Sequence, residues 1–288
     1  MTINIEKLQK DKSIEDLLEF SIINIDKPSG PTSFGTDIIV KKALNLNKAS
    51  HFGTLDPRVT GVLPIALNRA CKLMPFFIGK NKKYIGIMKL HSDVPLEDLQ
   101  KEIKNSLGKI TQIPPVKSRV KRQERERTIY TFRILEVENR NVLFETEVEA
   151  GTYIRKLIHD MGEKVGGAHM LELRRIQASI FQEPCVKIHE FLEAVNEYKE
   201  GNDKKLRKIL IPGEIICKVL SEVQVKKQFV KKLQHGGNLM KEHLTKERKF
   251  KDGEKLSVFE NETFIGSYEV INKHDTIAKP LYVLQPIK

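Results

Sequence analysis

The sequence predicts an α+β fold, with a larger unit of interspersed strands and helices followed by a smaller β-rich unit. Three observations predict it. Apolar patterns of period two and period 3.6 succeed one another from about residue 21 to residue 210. Ile211-Pro212-Gly213 then breaks off a charged helical stretch. Beyond it come short strand-like runs with turns at Gly236-Gly237, Asp252-Gly253 and Glu260-Asn261. The 288 residues are enough for one large and one small domain. We expect an N-terminal arm over 1–20, a main domain over 21–210 and a small domain over 211–288.

The arm is polar and holds one short amphipathic helix. Ser21-Ile22-Ile23-Asn24-Ile25 is rich in β-branched residues and reads as a strand, closed by the loop chemistry of Asp26-Lys27-Pro28-Ser29-Gly30-Pro31. Residues 36–44 read as a helix, with Ile38, Ile39, Ala43 and Leu44 near one face. Gly61 to Leu67 is apolar and leads into a helix over 70–79. Lys83 to Leu90 alternates as a strand, and Leu96, Leu99, Ile103 and Leu107 recur at helical spacing. Residues 128–137 and 142–149 form a hairpin through Asn139-Arg140-Asn141. A helix over 153–164, a strand or helix over 170–175 and a charged helical region over 187–210 complete the main domain.

Composition narrows the function. Lysine and arginine outnumber aspartate and glutamate by 50 to 38, a formal charge of +12. That surplus suits a polyanionic partner, although charge alone does not separate nucleic acid from an ordinary basic protein. From Cys217 onward there are 14 basic and 9 acidic residues. The three cysteines, Cys71, Cys185 and Cys217, form no CxxC, so neither a zinc ribbon nor a disulfide framework is implied, and a reducing cytoplasm is expected. There is no signal-peptide core and no apolar run of about 18 residues, so no membrane span is expected.

The segment from Ser50 to Ala66, SHFGTLDPRVTGVLPIA, carries the chemistry. Asp56 stands between an apolar residue and Pro57, which restricts its backbone to extended conformations. Gly53 and Gly61 permit tight turns or close ligand approach. A carboxylate held rigidly between apolar runs fits a nucleophile or a base. Taken alone, the same spacing also describes an Asx turn before a proline, which is the commoner case.

This segment resembles the catalytic motif of the TruB family of RNA pseudouridine synthases. Four further segments resemble that family in the same order: Asp26-Lys27-Pro28-Ser29-Gly30, Lys82-Lys83-Tyr84, Glu149-Ala150-Gly151-Thr152-Tyr153-Ile154-Arg155 and Gly167-Ala168-His169-Met170-Leu171-Glu172-Leu173-Arg174-Arg175. The resemblance covers residues from about 20 to 181. It implies a catalytic domain built on a bent, mixed, mainly antiparallel sheet flanked by helices. It also implies that uridine is isomerised through attack or engagement by the Asp56 carboxylate, with no metal or organic cofactor. Such chemistry requires the base to leave its stack.

By resemblance, Tyr84 stacks on the flipped base, although taken alone it reads as a half-buried strand tyrosine. Tyr153 handles a proton at carbon, Arg155 pairs with Asp56, and Leu173 walls the uracil pocket. His51 lies at the pocket mouth, and Lys27 and Pro28 support the catalytic loop.

Within the family, Leu90-His91-Ser92-Asp93-Val94-Pro95 and residues 114–122, PPVKSRVKR, resemble the guide-dependent branch. Members of that branch are the catalytic subunits of archaeal box H/ACA ribonucleoproteins, homologues of dyskerin. The resemblance makes the basic stretch from Lys117 to Thr128 an RNA-gripping loop, with Lys117, Arg119, Lys121 and Arg122 contacting phosphates. Residues 225–239 resemble the pattern of a PUA domain, a small RNA-binding β-barrel, onto which the arm would pack. The implied partners are a guide RNA and its target rRNA or tRNA, a small zinc-ribbon protein, a β-barrel protein and a kink-turn-binding protein, with a single copy of this chain in the particle. The alternatives are a guide-free synthase acting on the tRNA T-loop and an RNA-binding scaffold without catalysis. Phe52 stands where the guide-dependent branch has glycine. The chain has none of the long Lys-rich tails of eukaryotic members, so an archaeal member is expected.

Overall fold

The structure, a computed structural model, describes residues 3–114 and 120–285. Two sheets organise it. The larger contains β1 (Ser21–Lys27), β2 (Ala49–His51), β3 (Thr60–Leu67), β4 (Lys82–Leu90), β5 (Gly108–Gln112), β6 (Arg125–Glu138), β7 (Asn141–Val148), β8 (Ala168–Ala178), β9 (Phe181–Gln182), β10 (Val186–Lys187) and β11 (Ile211–Pro212). Its main order is β10-β1-β3-β8-β4-β7-β6-β5, with β2 beside β3, β9 beside β8 and β11 beside β1. Among the described strands of this larger sheet, only the β1–β10 and β3–β8 pairings are parallel, so it is mixed and mainly antiparallel. The smaller sheet contains β12 (Ser221–Gln224), β13 (Leu239–Met240), β14 (Lys255–Glu260), β15 (Thr263–Lys273) and β16 (Thr276–Val283), in the order β12-β14-β15-β16-β13.

The helices are α1 (Ile5–Asp11), α2 (Ile14–Glu19), α3 (Ser33–Ala43), α4 (Met74–Ile78), α5 (Leu96–Asn105), α6 (Ile154–Gly162), α7 (Ile188–Lys199), α8 (Lys204–Ile209) and α9 (Val230–Gln234). None of them is long and apolar enough to cross a membrane. The arm differs from its single expected helix. Asn4 caps α1 through the Lys7 amide and Ser13 caps α2 through the Asp16 amide, so two N-caps make two helices.

The helix expected over 70–79 also divides. A 3₁₀ turn over Asn68–Leu73 precedes α4, because Pro75 has no N–H to give to the Cys71 carbonyl, which takes the Met74 amide instead. The ambiguous segment over 170–175 belongs to β8, which lies between β3 and β4 in the centre of the large sheet. The hairpin forms as expected, with Asn139 in the left-handed region at φ 53°.

Each sheet has its own apolar cluster. One joins β1, β3, β4 and β7 to α5, α6 and α7, with Met88, Phe144, Ile158 and Phe191 fully buried. Another fills the second unit around Tyr268, Leu256 and Val258. A third lies at the junction of the sheets, where Ile3, Leu8 and Phe20 of the arm meet Phe52, Phe77 and Phe181 of the first unit and Phe259 and Phe264 of the second. Phe20 stacks on Phe264 with ring centres 5.6 Å apart. Polar contacts follow the same route: Lys7 meets Glu262 at 2.6 Å, and Lys12 meets the buried Glu214 at 2.5 Å. Burial pushes the Glu214 carboxyl above its ordinary range, and Lys12 opposes that rise.

Phe20 lies so close to Gly213 that a Cβ there would meet its ring at 2.5 Å. Phe20→Ala is therefore expected to empty the junction and cost about 3–5 kcal/mol. Urea unfolding followed by fluorescence and circular dichroism checks this, and an unchanged midpoint would show that the junction contributes little.

Candidate active site

Asp56 sits in the loop between β2 and β3, and the flanking residues determine what that loop can do. Leu55 and Val59 are buried, at 3% and 6% exposure, and plug into the main core on either side of it. Their burial leaves the Asp56 side chain facing outward and about half exposed, at 49%. Within the loop the Val59 amide donates to the Asp56 carbonyl at 3.0 Å, and surrounding side chains satisfy further backbone groups.

Lys27 makes the largest contribution. It ends β1 with a fully buried side chain, and its ammonium donates to the carbonyls of Pro28, Pro57 and Val59 at 2.8, 2.9 and 2.9 Å. Burial lowers its pKa, and the nearby Asp56 charge opposes the fall. Ser33, at the start of α3, takes the Leu55 amide and faces the Leu55 carbonyl, both at 2.8 Å. The Gly30 amide donates to the Pro57 carbonyl at 2.9 Å.

Arg175, on β8, anchors the other side of the loop. It is 1% exposed and donates to the carbonyls of Gly53 and Val62 at 3.0 and 2.8 Å. Its remaining partner is the Tyr84 hydroxyl, and burial lowers its pKa against the pull of that tyrosine. One guanidinium therefore ties the carboxylate loop to the strand that carries Tyr84. Gly61, at φ 99°, is required by this approach, since a Cβ there would lie 2.2 Å from the Arg175 carbonyl oxygen. Beside Arg175 lies Lys82, 6% exposed, which donates to the carbonyls of Ile78 and Lys80 at 2.6 and 2.5 Å. Burial, helped by the Arg175 charge, lowers its pKa to about 8.

Of the remaining expected residues, Arg155, in the first turn of α6, meets the Asp56 carboxylate directly at 2.6 Å. Both partners are largely exposed, so the pair adds little stability but orients the carboxylate. Tyr153 precedes α6, and its amide and carbonyl are held by the buried Gln112 at 3.0 and 3.2 Å. Tyr84 is 8% exposed and pairs across β4–β8 with Arg175. Leu173 is half-buried opposite Gly86, where a Cβ would lie 3.1 Å from its methyl group.

His51 acts as a strut, with its ring nitrogens on Asp37 at 2.7 Å and Thr54 at 3.1 Å. Pro28 contributes a carbonyl to Lys27. Phe52 fills the space under the loop, stacked on Phe77 at 4.8 Å and tilted against Phe181 at 5.9 Å. Lys121 and Arg122 are exposed, while Lys117 and Arg119 lie outside the described residues. Ser33, Asp37 and Gln112 were not singled out from the sequence, and Lys82 and Arg175 were quoted there without a role. The two cations are nonetheless signalled by their places within the motifs.

Comparisons with known proteins identify the family of this chain. The model of the TruB family pseudouridylate synthase N-terminal domain matches residues 41–154, and that of the tRNA pseudouridylate synthase B C-terminal domain matches residues 155–218. The probable tRNA pseudouridine synthase B of Pyrococcus abyssi is 43% identical over 232 residues, covering 79% of this chain and 70% of its own length. This chain belongs to the TruB family of pseudouridine synthases.

The TruB-family assignment makes it an RNA isomerase. Its relative in Methanopyrus kandleri, also named a probable tRNA pseudouridine synthase B, is 41% identical over 254 residues, which is 87% of this chain and 75% of the relative. Among solved structures, a Cbf5-Nop10-Gar1 complex contains a chain with TM-score 0.89 and 35% identity, covering 96% of this TruB-family chain and 89% of that one. An H/ACA RNP bound to a substrate RNA containing 2′-deoxyuridine gives TM-score 0.88 and 34% identity over the same shares.

Two outcomes follow from the buried cations. Lys27→Met leaves three loop carbonyls without their donor, so turnover is expected to fall at least about tenfold, with RNA affinity retained. Parallel single-turnover and filter-binding measurements check this, and a matching loss of affinity would instead indicate general unfolding. Lys82 sets a pH dependence. Between its ordinary pKa of 10.5 and its folded value of about 8, the unfolded chain binds a proton that the folded chain does not. Stability is therefore expected to fall by about 3 kcal/mol as pH drops through that window and to level off below it. Lys82→Met should remove that component from the difference between wild-type and variant unfolding curves.

Proposed function

We propose that this chain converts uridine to pseudouridine at positions chosen by a box H/ACA guide RNA, as the catalytic subunit of a ribonucleoprotein. The observation that carries the reading is the likeness, at 35% and 34% identity over 96% of the chain, to chains in a Cbf5-Nop10-Gar1 complex and a substrate-bound H/ACA RNP. That likeness extends through the second unit, which we read as a PUA domain gripping the guide RNA, with the arm over 1–20 docked against it. The partners are the guide RNA, its rRNA or tRNA target and the small zinc-ribbon, β-barrel and kink-turn-binding proteins of such a particle. Guide-free modification of tRNA is the second reading, favoured by the names of the curated relatives.

In either case the reaction is an isomerisation. The bond from the ribose C1′ to N1 of uracil breaks, the base turns, a bond from C1′ to C5 forms, and the C5 proton leaves while N1 gains one. Asp56 is the carboxylate that engages the nucleotide. Arg155 pairs with it and directs it. Tyr84 stacks on the flipped base, Leu173 closes the pocket beside it, and Tyr153 handles the proton at carbon. His51, Lys27 and Pro28 hold the loop, and the basic loop with Lys117, Arg119, Lys121 and Arg122 grips RNA through its phosphates.

The test measures pseudouridine in a T-loop tRNA transcript with the protein alone, and in a guided target with guide RNA and partner proteins added. Conversion only in the second mixture is expected. Efficient conversion of tRNA by the lone protein would transfer the proposal to the guide-free reading. Asp56→Asn is expected to abolish turnover in whichever mixture is active while RNA binding persists, and full turnover by that variant would remove Asp56 from the chemistry.

A further inference from the structure

Lys83 directly precedes Tyr84 on β4, so the two side chains leave the strand on opposite faces. On the Lys83 face, where β4 begins, lies a cleft of about 400 Å³ that the catalytic reading does not use. Its walls come from four separate stretches: residues 79–83, Glu147 near the end of β7, the end of β8 with the turn that follows it, and Lys218-Val219 on the way to the second sheet. Its lining holds three lysines, Lys80, Lys83 and Lys218, and one carboxylate, Glu147. Glu147 is already engaged, meeting Lys83 at 3.6 Å and accepting from the Asn81 amide at 3.3 Å. Lys80 and Lys218 are exposed, and neither forms an ion pair with a carboxylate among the described residues.

The walls are fixed. The Ser179 amide donates to the Asn81 carbonyl at 3.1 Å, and the Gln177 side chain donates to the Ser179 carbonyl at 2.9 Å. Ser179 holds a left-handed backbone at φ 59°, a conformation a non-glycine residue keeps only when its surroundings impose it. From below, the buried Lys82 holds the Lys80 carbonyl. Half-buried Ile180 and Val219 add apolar surface to the lining.

We propose that this cleft is a second RNA-binding site, separate from the catalytic pocket, which takes one nucleotide of the RNA backbone. The phosphate lies between Lys80 and Lys218, and the ribose rests on Ile180 and Val219. Two cations without a carboxylate partner among the described residues match a phosphodiester, which needs charge and no sequence-specific donors. The apolar lining has no use for a free inorganic anion but suits the sugar. The volume falls within the range of small-ligand pockets, and the cleft is open, so a chain can run through it. The proposal rests on the RNA-modifying activity of the family and not on the guide-dependent reading.

The test compares the full-length wild type with Lys80→Gln/Lys218→Gln, using a structured RNA transcript at several salt concentrations. A control, Lys199→Gln/Lys204→Gln, removes the same charge from the exposed ends of α7 and α8. The cleft variant is expected to bind about tenfold more weakly, with a salt slope smaller by about 1 for each lysine, and to show its effect in KM. The control is expected to stay within about twofold of wild type, as befits charges that touch no phosphate. Equal losses in both variants, or an unchanged affinity and slope in the cleft variant, would overturn the site. Full competition by low-millimolar inorganic phosphate would also overturn it, because it would indicate a simple anion site. These outcomes are ratios between proteins, so they remain readable whichever RNA the wild type modifies.

Discussion

A half-exposed carboxylate on a loop can be aimed only if the loop backbone is anchored from elsewhere, and two buried cations provide that anchoring. Lys27 gathers the carbonyls of Pro28, Pro57 and Val59, and Arg175 gathers those of Gly53 and Val62. Neither cation finds a carboxylate partner at the loop. Each instead spreads its charge over carbonyl dipoles, which keeps a buried cation tolerable without neutralising Asp56. The free carboxylate is left to Arg155, at the protein surface, where RNA can reach both.

This arrangement also links residues of all five motifs. Lys27 belongs to the first, Asp56 to the second, Tyr84 to the third, Arg155 to the fourth and Arg175 to the last. The sheet order brings them together, since β3 lies between β1 and β8 and β8 lies between β3 and β4. Arg174, next to Arg175, adds a second tie by grasping Asp26 with two hydrogen bonds of 2.9 Å. Asp26 and Glu183 together hold the pKa of its guanidinium above the ordinary value. The first and last motifs are thus bonded directly, about 150 residues apart in sequence.

The second unit is not a detached appendage. The arm and β11 bind it to the first through a continuous aromatic cluster that includes Phe52, directly under the catalytic loop. Phe52 is 2% exposed. An aromatic ring at a position where glycine is usual in the guide-dependent branch is accommodated because Phe77 and Phe181 form a slot for it. The two units therefore share one apolar support.

Much of this was legible in the chain itself. The strand at Ser21, the hairpin through Asn139 and the helix from Leu96 follow from local periodicity, and the TruB family from short motifs, because those signals are carried by neighbouring residues. Local signals failed where a distant contact or a single cap decided the outcome. Ser13 divided the arm into two helices, Pro75 shortened α4, and the segment over 170–175 became a strand because β3 and β4 flank it. Likewise, no pattern revealed that Arg175 would be almost fully buried, that His51 would brace Asp37 and Thr54, or that Gln112 would hold the Tyr153 backbone. The residues that can do the chemistry were determined by sequence, since reactivity belongs to side-chain type. How they are aimed was decided only by the tertiary structure, since unsatisfied backbone groups take whichever donors and acceptors the sheet brings within reach.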